Sequence, residues 1–569
     1  METIALFAIG SLVNLYFYYR RSLRYLKYFQ QEDYTGKRFF NWLKEKKAYD
    51  RKGSNICVGM VFLAMVLGFW LHATSTLPLL ALSLIALVLL AITAHREEDP
   101  RTTGKIKLKM TARSKRIYYL SMALYVVASV ATNIGWYLYI KNETPDLLPL
   151  AFWVNQFLLI RSQPLWLILA NSLLQPYETS LQEGFANEAR ALIKKYGPTV
   201  IGITGSYGKT STKIILREIL SSVSPTFVPP GSINSYMGVT REIREKLQPA
   251  HKYAVIEMGA YYIGSIRRMC TLTPPQAAII TAIGIMHLER FGGQDSVLKA
   301  KSELAQAVPE DGILVVNGDD PNCRRIAAEN PKKTVLFYGW DESNGHLDAK
   351  IYDITATDKG SHFKIRWKDQ EYEGFTQLLG KPLLSNALAS FTLACALGIA
   401  PQTVISAMRN VKTENNRLEP VKVPISSFKV KENGSNGQIA TGEVLRLNDA
   451  YNSNPIGFAA ALEVLGQVSG NRKILVTPGM IELGDRQELE NKLAATKAAT
   501  VCDLVLVVGD TNKKALTDGL KEGGLDSQKC QEFGDMHTAL TYLSEFCKDG
   551  DVVLIENDLG DLYEGEVSF

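Results

Sequence analysis

The sequence predicts a helical membrane region followed by a two-part α/β body. Three observations carry this. Four or five apolar runs near bilayer length precede residue 175. From Tyr196 onward, short β-branched runs alternate with amphipathic helical stretches. A glycine-rich turn joins the first of these strands to the first of these helices. The expected units are residues 1–175 for the membrane region, 176–414 for a larger domain with a mostly parallel sheet, and 415–569 for a smaller Rossmann-like domain.

In chain order the apolar runs are about Ile4–Tyr19, Ile56–Ala73, Leu77–Ala94, Ile117–Ile140 and about Leu147–Leu169. The fifth is interrupted by Gln156, Arg161, Gln163 and Pro164, which reads as a broken or interfacial helix. One such run alone would ordinarily be a buried core helix. Several in succession, with basic residues confined to alternate loops, argue for a membrane. Residues 20–54 hold 11 Lys/Arg against 4 Asp/Glu, and residues 95–116 hold 8 against 3. The rest of the chain has 44 Lys/Arg and 51 Asp/Glu, so the basic excess marks topology and no nucleic-acid partner is expected.

The positive-inside rule puts both basic stretches in the cytoplasm and the N-terminus outside. A fifth crossing then returns the chain, giving a multi-pass inner-membrane protein with its α/β domains cytoplasmic. The aromatic residues among the basic ones (Tyr25, Tyr28, Phe29, Phe39, Phe40, Trp42) would suit a helix lying on anionic headgroups. Met1–Tyr19 lacks the basic start and small-residue site of a cleaved signal. Seven dispersed cysteines with no CxxC pair speak against a disulfide scaffold or a zinc ribbon and favour a reducing compartment.

In the body, strands are expected at Thr199–Thr204, Tyr253–Glu257, Ala277–Thr281, Ile313–Asn317 and Thr334–Tyr338. Helices are expected at Lys209–Ser222, Val239–Leu247, Ser296–Ala307 and Leu384–Leu397. A second set begins near Asn415, with strands at Lys473–Thr477, Leu504–Val508 and Val552–Glu556. Val421–Leu447 reads as a hairpin around the turn at Glu432–Gly437.

After the first strand comes Thr204-Gly205-Ser206-Tyr207-Gly208-Lys209-Thr210-Ser211. Glycines let the backbone curl so that successive N–H groups face phosphate oxygens, and the helix N-terminus adds a favourable partial charge. Lys209 can bridge the β- and γ-phosphates of ATP, and the Thr210 hydroxyl can ligate Mg²⁺. The usual first glycine of such a loop is Ile203 here, so the match is to the shorter GxxGKT form.

Glu257 ends the second strand at the side where α/β sheets place ligands, and could complete a Mg²⁺ shell with Thr210. Taken alone it would be structural or solvated. His287 follows the third strand with Glu289 beside it, although a lone histidine is usually a satisfied structural residue. Lys301 lies fourteen residues on, where a surface lysine is the ordinary reading.

Together these motifs resemble the Mur ligases, the ATP-dependent amide-forming enzymes of peptidoglycan synthesis, and most of all the member that adds D-alanyl-D-alanine. The resemblance covers about residues 190–569. It runs through TGSYGKTS at 204–211, Asn234 and Gly238, EMGA at 257–260, HLERFGG at 287–293, and KSEL at 301–304. It continues with NALA at 386–389, RLE at 417–419, DAYNSNP at 449–455 and GMIELG at 479–484.

The resemblance implies a P-loop central domain and a smaller C-terminal domain that close over ATP. It implies that the loop residues Gly205, Ser206, Tyr207, Gly208, Lys209, Thr210 and Ser211 hold ATP. Thr210 and Glu257 would bind one Mg²⁺, and His287 a second. Lys301 resembles the lysine that becomes a carbamate with CO₂ and supports the second metal. Asn386 would contact adenine, Arg417 and Asp449 would meet the nucleotide at the domain junction, with Asp449 on the ribose, and Asn234, Tyr451, Asn452 and Asn454 would contact substrate. Lys209, His287 and Lys301 are the expected catalytic set.

The implied chemistry activates a carboxylate as an acyl phosphate, which an amine then attacks. Partners would be a wall precursor and an amino acid or dipeptide; the oligomeric state stays open.

The sequence departs from the family at Ala282, where Asn is usual, and at Pro382-Leu383, where His-Asn is usual. Glu556-Asn557-Asp558-Leu559 stands where the D-alanyl-D-alanine-adding member has Lys-Gly-Ser. Helices take the place of the N-terminal UDP-sugar domain, so the acceptor is expected to be lipid-linked or delivered at the membrane. Competing readings are a membrane polyglutamate-type or tailoring ligase, an ATP-gated transporter or regulator, and an inactive nucleotide-binding scaffold.

Overall fold

The computed structural model describes residues 2–70, 77–103, 106–143, 147–260, 262–284, 293–357, 360–412, 418–428, 442–449 and 453–557. Two compact units form, one up to Leu181 and one from Gln182.

The first unit is helical: α1 (Glu2–Gln31), α2 (Gly36–Glu45), α3 (Lys52–Trp70), α4 (Leu77–His95), α5 (Ala112–Glu143) and the start of α6 (Leu148–Tyr196). Residues 112–140 of α5 and the whole of α6 are long and apolar enough to cross a bilayer by length and composition. The apolar stretches 52–67 and 79–95 are shorter. Residues 74–76, between the second and third apolar runs, lie outside the described residues.

Two expectations are corrected. The fifth apolar run is not broken: α6 is continuous through Pro164 and Pro176. A proline removes one backbone donor and crowds the preceding turn, and the flanking hydrogen bonds still carry the helix past it. The aromatic residues of 20–54 do not form a headgroup-facing surface. Tyr25, Tyr28, Phe29, Phe39 and Trp42 are buried in one cluster with Leu23 and Leu43, and Phe40 is half-buried. Tyr28 stacks on Trp42 with ring centres 4.5 Å apart.

Several neutral polar groups pair between helices of this unit. Asn14 donates to Gln156 at 2.5 Å, Tyr125 donates to Asn14, and Asn155 donates to Asn133 at 2.8 Å.

The second unit holds two sheets. The larger contains β1 (Thr199–Thr204), β2 (Thr226–Phe227), β3 (Tyr253–Glu257), β4 (Ala277–Ile280), β5 (Ile313–Asn317), β6 (Thr334–Gly339), β7 (Ala349–Thr357), β8 (Gly360–Trp367) and β9 (Gln370–Thr376). Their order is β2-β3-β1-β4-β5-β6-β7-β8-β9, parallel up to β7 and antiparallel beyond. Helices cover both faces: α7 (Lys209–Ser221), α8 (Tyr236–Lys246), α9 (Ser265–Leu272), α10 (Gln294–Ala307), α11 (Pro321–Ala328), α12 (Lys381–Ala396) and α13 (Pro401–Met408).

Side chains alternate between two cores. Ile201, Ile203 and Val255 face the core built with α7 and α12, and Val200, Ala254 and Ile256 face the one built with α8 to α10. Burial on both faces explains why these strands read as unbroken apolar runs.

The smaller sheet is β10 (Glu419–Pro424), β11 (Glu443–Asp449), β12 (Lys473–Thr477), β13 (Leu504–Val508), β14 (Cys530–Phe533) and β15 (Val552–Glu556). Its order is β10-β11-β15-β12-β13-β14, and only β10 runs antiparallel to its neighbour. β10 and β11 are the arms of the expected hairpin, whose turn lies outside the described residues. Helices α14 (Pro455–Gln467), α15 (Gln487–Val501), α16 (Lys513–Glu522) and α17 (Met536–Phe546) accompany this sheet.

Candidate active site

The phosphate loop leaves the carboxyl end of β1, which lies between β3 and β4. That is where open parallel sheets receive ligands. Gly208 precedes α7 at φ 79°, and a Cβ there would come within 2.4 Å of Asn386 Oδ1. Only glycine fits that approach. A Cβ on Gly205 would lie 2.0 Å from Thr281 Oγ1, so this position also tolerates no side chain.

The loop is fastened to the segment after β4. Ser206 N donates to Ala282 O at 2.6 Å, and Ser206 Oγ accepts from Gly284 N at 3.0 Å. Thr281 Oγ1 donates to Tyr207 O, and Tyr338 OH donates to Thr281 O at 3.1 Å. Ala282, where the family has asparagine, thus serves the loop through its backbone. Thr210 and Ser211 are buried at the start of α7. Lys209 Nζ donates to Gly205 O at 2.7 Å and Ser206 O at 3.2 Å, so its charge sits at the loop itself.

Pairing of Ile203 with Glu257 sets the Glu257 carboxylate at the end of β3 beside this loop. Glu257 is 1% exposed. Its Oε1 accepts from Asn234 Nδ2 at 2.9 Å. Its Oε2 lies 3.5 Å from Lys213 Nζ and makes no hydrogen bond among the described residues. A buried carboxylate oxygen without a donor is what a bound cation would satisfy, so Glu257 with the Thr210 hydroxyl fits an oxygen-ligated Mg²⁺. Among the described residues no three His, Cys, Asp or Glu side chains cluster as a metal site.

Sequence reasoning missed Lys213. It is 1% exposed, one helical turn beyond Lys209, and donates to Pro229 O at 3.1 Å and to Gly231 O. The i,i+4 spacing from Lys209 was the available signal, since it puts both lysines on one face. Asn234 belongs to the same network. Its side chain holds Glu257, and its carbonyl accepts from Gly259 N at 3.2 Å.

Lys301 is buried in α10 rather than exposed on the surface. Burial pushes its amine well below the ordinary lysine range, and Lys209 pushes it further, while Glu257 pulls the other way. Glu303 in the same motif is structural: it accepts from Gly264 N at 2.6 Å and Arg267 N at 3.0 Å at the start of α9. His287, Arg417, Tyr451 and Asn452 lie outside the described residues.

A cavity of about 100 Å³ joins the loop to the smaller sheet. Tyr207, Gly208, Ser211 and Asn386 line one side, and Asp449, Ser453, Asn454 and Glu556 line the other. Asn454 also accepts from Gly457 N at 2.9 Å, capping α14. A larger cavity of about 1250 Å³ between the β7–β9 side and α14 contains none of the expected site residues.

Comparison with known proteins agrees with this geometry. The Mur ligase middle domain matches residues 203–394, and the Mur ligase glutamate ligase domain matches 438–556. The Escherichia coli (strain K12) UDP-N-acetylmuramoyl-tripeptide--D-alanyl-D-alanine ligase is 31% identical over 325 residues, covering 57% of this chain and 67% of that one. The Bacillus subtilis (strain 168) protein of the same name is 28% identical over 374 residues, covering 65% and 76%.

The Thermotoga maritima MurF ligase in complex with ADP superposes with a TM-score of 0.56 at 25% identity, covering 66% of this chain and 80% of that one. The Acinetobacter baumannii MurF structure gives 0.56 at 25% identity, covering 66% and 77%. These matches set aside the transporter reading. The chain belongs to the Mur ligase family and is an ATP-dependent, ADP-forming acid–amino-acid ligase.

Proposed function

We propose that this ligase adds an amino acid or dipeptide, of the D-alanyl-D-alanine type, to a muramyl-peptide acceptor in cell-wall precursor synthesis. The work takes place on the cytoplasmic face of the inner membrane, with the N-terminus outside and the acceptor lipid-linked. The observation that carries the chemistry is the meeting of the phosphate loop, Glu257 and buried Lys301 at the carboxyl end of one sheet. The names of the E. coli and B. subtilis relatives support the substrate class. The apolar α5 and α6 and the two basic stretches support the membrane part.

In this reading the acceptor carboxylate attacks the γ-phosphorus and ADP leaves. The amine then attacks the acyl carbon and phosphate leaves. Lys209 meets the charge of the transferring phosphoryl group. Thr210 and Glu257 would hold Mg²⁺, which would supply neutralisation of phosphate charge, and the resemblance assigns a second ion to His287. Asn386 and Asp449 face the nucleoside, and Asn234 positions Glu257; the resemblance assigns Arg417 to the nucleotide and Tyr451, Asn452 and Asn454 to substrate. Burial biases Lys301 toward the neutral amine, the form that adds to CO₂: its nitrogen would bond the carbon, one proton would leave, and a carbamate anion would result.

The test is ADP release and product mass with full-length protein in detergent. Muramyl tripeptide is offered UDP-linked or lipid-linked, with and without D-alanyl-D-alanine. The expected result is ADP release only with both substrates, fastest with the lipid-linked acceptor. Equal rates on both acceptors would sink the lipid-linked part. ADP release without either product would sink the whole reading.

A further inference from the structure

Arg161 is the single charged residue of α6 between Leu148 and Tyr177, and no step of the ligase reaction uses it. It is half-buried. Its guanidinium lies 5.7 Å from the ring centre of Tyr49 and 5.7 Å from that of Phe157. Phe157 stands one helical turn earlier and so shares a face with Arg161. Two rings hold a cation in place but bring no negative charge to it. Among the described residues no carboxylate pairs with Arg161 and no acceptor takes its N–H groups.

The acid beside Tyr49 is already engaged. Asp50 Oδ2 lies 2.5 Å from Arg21 Nη2, and Asp50 Oδ1 accepts from Gly53 N at 2.7 Å and Ser54 N at 3.2 Å at the start of α3. Arg51 and Lys52, two and three residues beyond Tyr49, are exposed and join no ion pair among the described residues. On α6, Leu158 and Leu165 are exposed, three residues before Arg161 and four after it. A cation held by rings is thus followed along the chain by two more and flanked along its helix by apolar surface.

We propose that Arg161, with Arg51 and Lys52, binds the phosphate of a membrane lipid whose chain lies along Leu158 and Leu165. This rests on the membrane reading of the first unit, in which α6 crosses the bilayer. A cation on a membrane helix is costly unless it meets an opposite charge. A long side chain free to snorkel would carry its charge to water, but the two rings keep this one beside the apolar flank. A guanidinium offers parallel N–H groups that match phosphate oxygens, and those of Arg161 are open. Lys52 is the first residue of α3, so the site lies where an apolar helix begins, which is the level of phosphate headgroups. A soluble anion would meet the cations and leave the leucines bare, whereas a lipid phosphate satisfies both. A phosphoglyceride and a polyprenyl phosphate share this chemistry.

The experiment uses full-length protein in detergent and measures dissociation constants by native mass spectrometry. The probes are phosphatidylglycerol, decaprenyl phosphate, diacylglycerol and inorganic phosphate. The variants are Arg161→Ala, Arg161→Lys and the double variant Arg51→Ala with Lys52→Ala. The parent should bind at least one of the two lipid phosphates about tenfold more tightly than diacylglycerol, which lacks the phosphate, and the tighter of the two names the source. Arg161→Ala should erase that preference, and Arg161→Lys should keep part of it. The double variant changes only exposed residues, so it decides the matter if Arg161→Ala does not fold; it should weaken the lipid phosphate about fivefold or more. A parent without preference over diacylglycerol overturns the inference. So does a preference unchanged in folded Arg161→Ala or in the double variant, and so does inorganic phosphate bound as tightly as the lipid. Parent protein recovered in the soluble fraction without detergent would instead overturn α6 as a membrane span, and the inference with it.

Discussion

The carboxyl ends of the two sheets face chemistry of opposite sign. At the larger sheet, Glu257 sits among lysines: Lys213 is 3.5 Å away, and Lys301 and Lys209 are close enough to influence one another. At the smaller sheet, Asp449 has another carboxylate as its strand neighbour. Both ends are parallel-strand termini with a buried glutamate whose Oε2 meets no donor among the described residues. The difference teaches that architecture supplies the location while neighbouring side chains decide the ligand. A lysine-rich end suits a phosphoryl group in transfer, whereas an end where two carboxylates are neighbours favours keeping a proton.

The largest expected break comes from the loop. Lys209→Ala should lower amine-dependent ADP release by at least about a thousandfold, because the charge of the moving phosphoryl group loses its partner. An ADP assay with both substrates checks it, and a loss below tenfold would remove Lys209 from the chemistry.

Lys301→Ala should fall by about a hundredfold or more and regain part of its rate with a small added carboxylate. Depleting bicarbonate should slow the parent and leave the variant unchanged. Normal activity in the unaided variant would end the carbamate role.

Lys213→Ala strands Glu257 beside two carbonyls and should destabilise the second unit by about 3 kcal/mol. A denaturant titration reads this, and a change below about 1 kcal/mol would mean that the Lys213–Glu257 contact adds little to stability.

The smallest effect is a pH slope. The folded Glu556 carboxyl holds its proton above the ordinary range, so folding binds a proton. That group's contribution is therefore undiminished below about pH 4.3 and declines as pH rises above it. Glu556→Gln has no proton to bind. It should melt a few degrees above the parent at pH 8, with the gap closing near pH 4. A gap that widens on acidification would have the wrong sign.

Much of the larger sheet was legible because its strands are buried on both faces. Thr199–Thr204 and Tyr253–Glu257 are apolar runs with matching bounds in the structure. The antiparallel extension β7–β9 was not, since strands such as Gln370–Thr376 carry charged residues on an open face and read as loop.

Lys209, Glu257 and Lys301 were legible as motif positions. Lys213 offered only its i,i+4 spacing from Lys209; its carbonyl partners at Pro229 and Gly231 lie beyond the end of its own helix and could not be read from the sequence. The segment at Glu556 stood out as a departure, but its meaning needed the register with Asp449, more than a hundred residues earlier. The prolines of α6 misled in the other direction, as helix breakers in a helix that continues.

Ser206 and Thr281 clamp the phosphate loop to the strand beside it. A segment fixed in this way has little disorder left to surrender when a ligand docks. The ordering entropy of docking therefore falls mainly on the opposite wall, and substitutions in the smaller domain should alter the heat of nucleotide binding more than those within the turn's own scaffold.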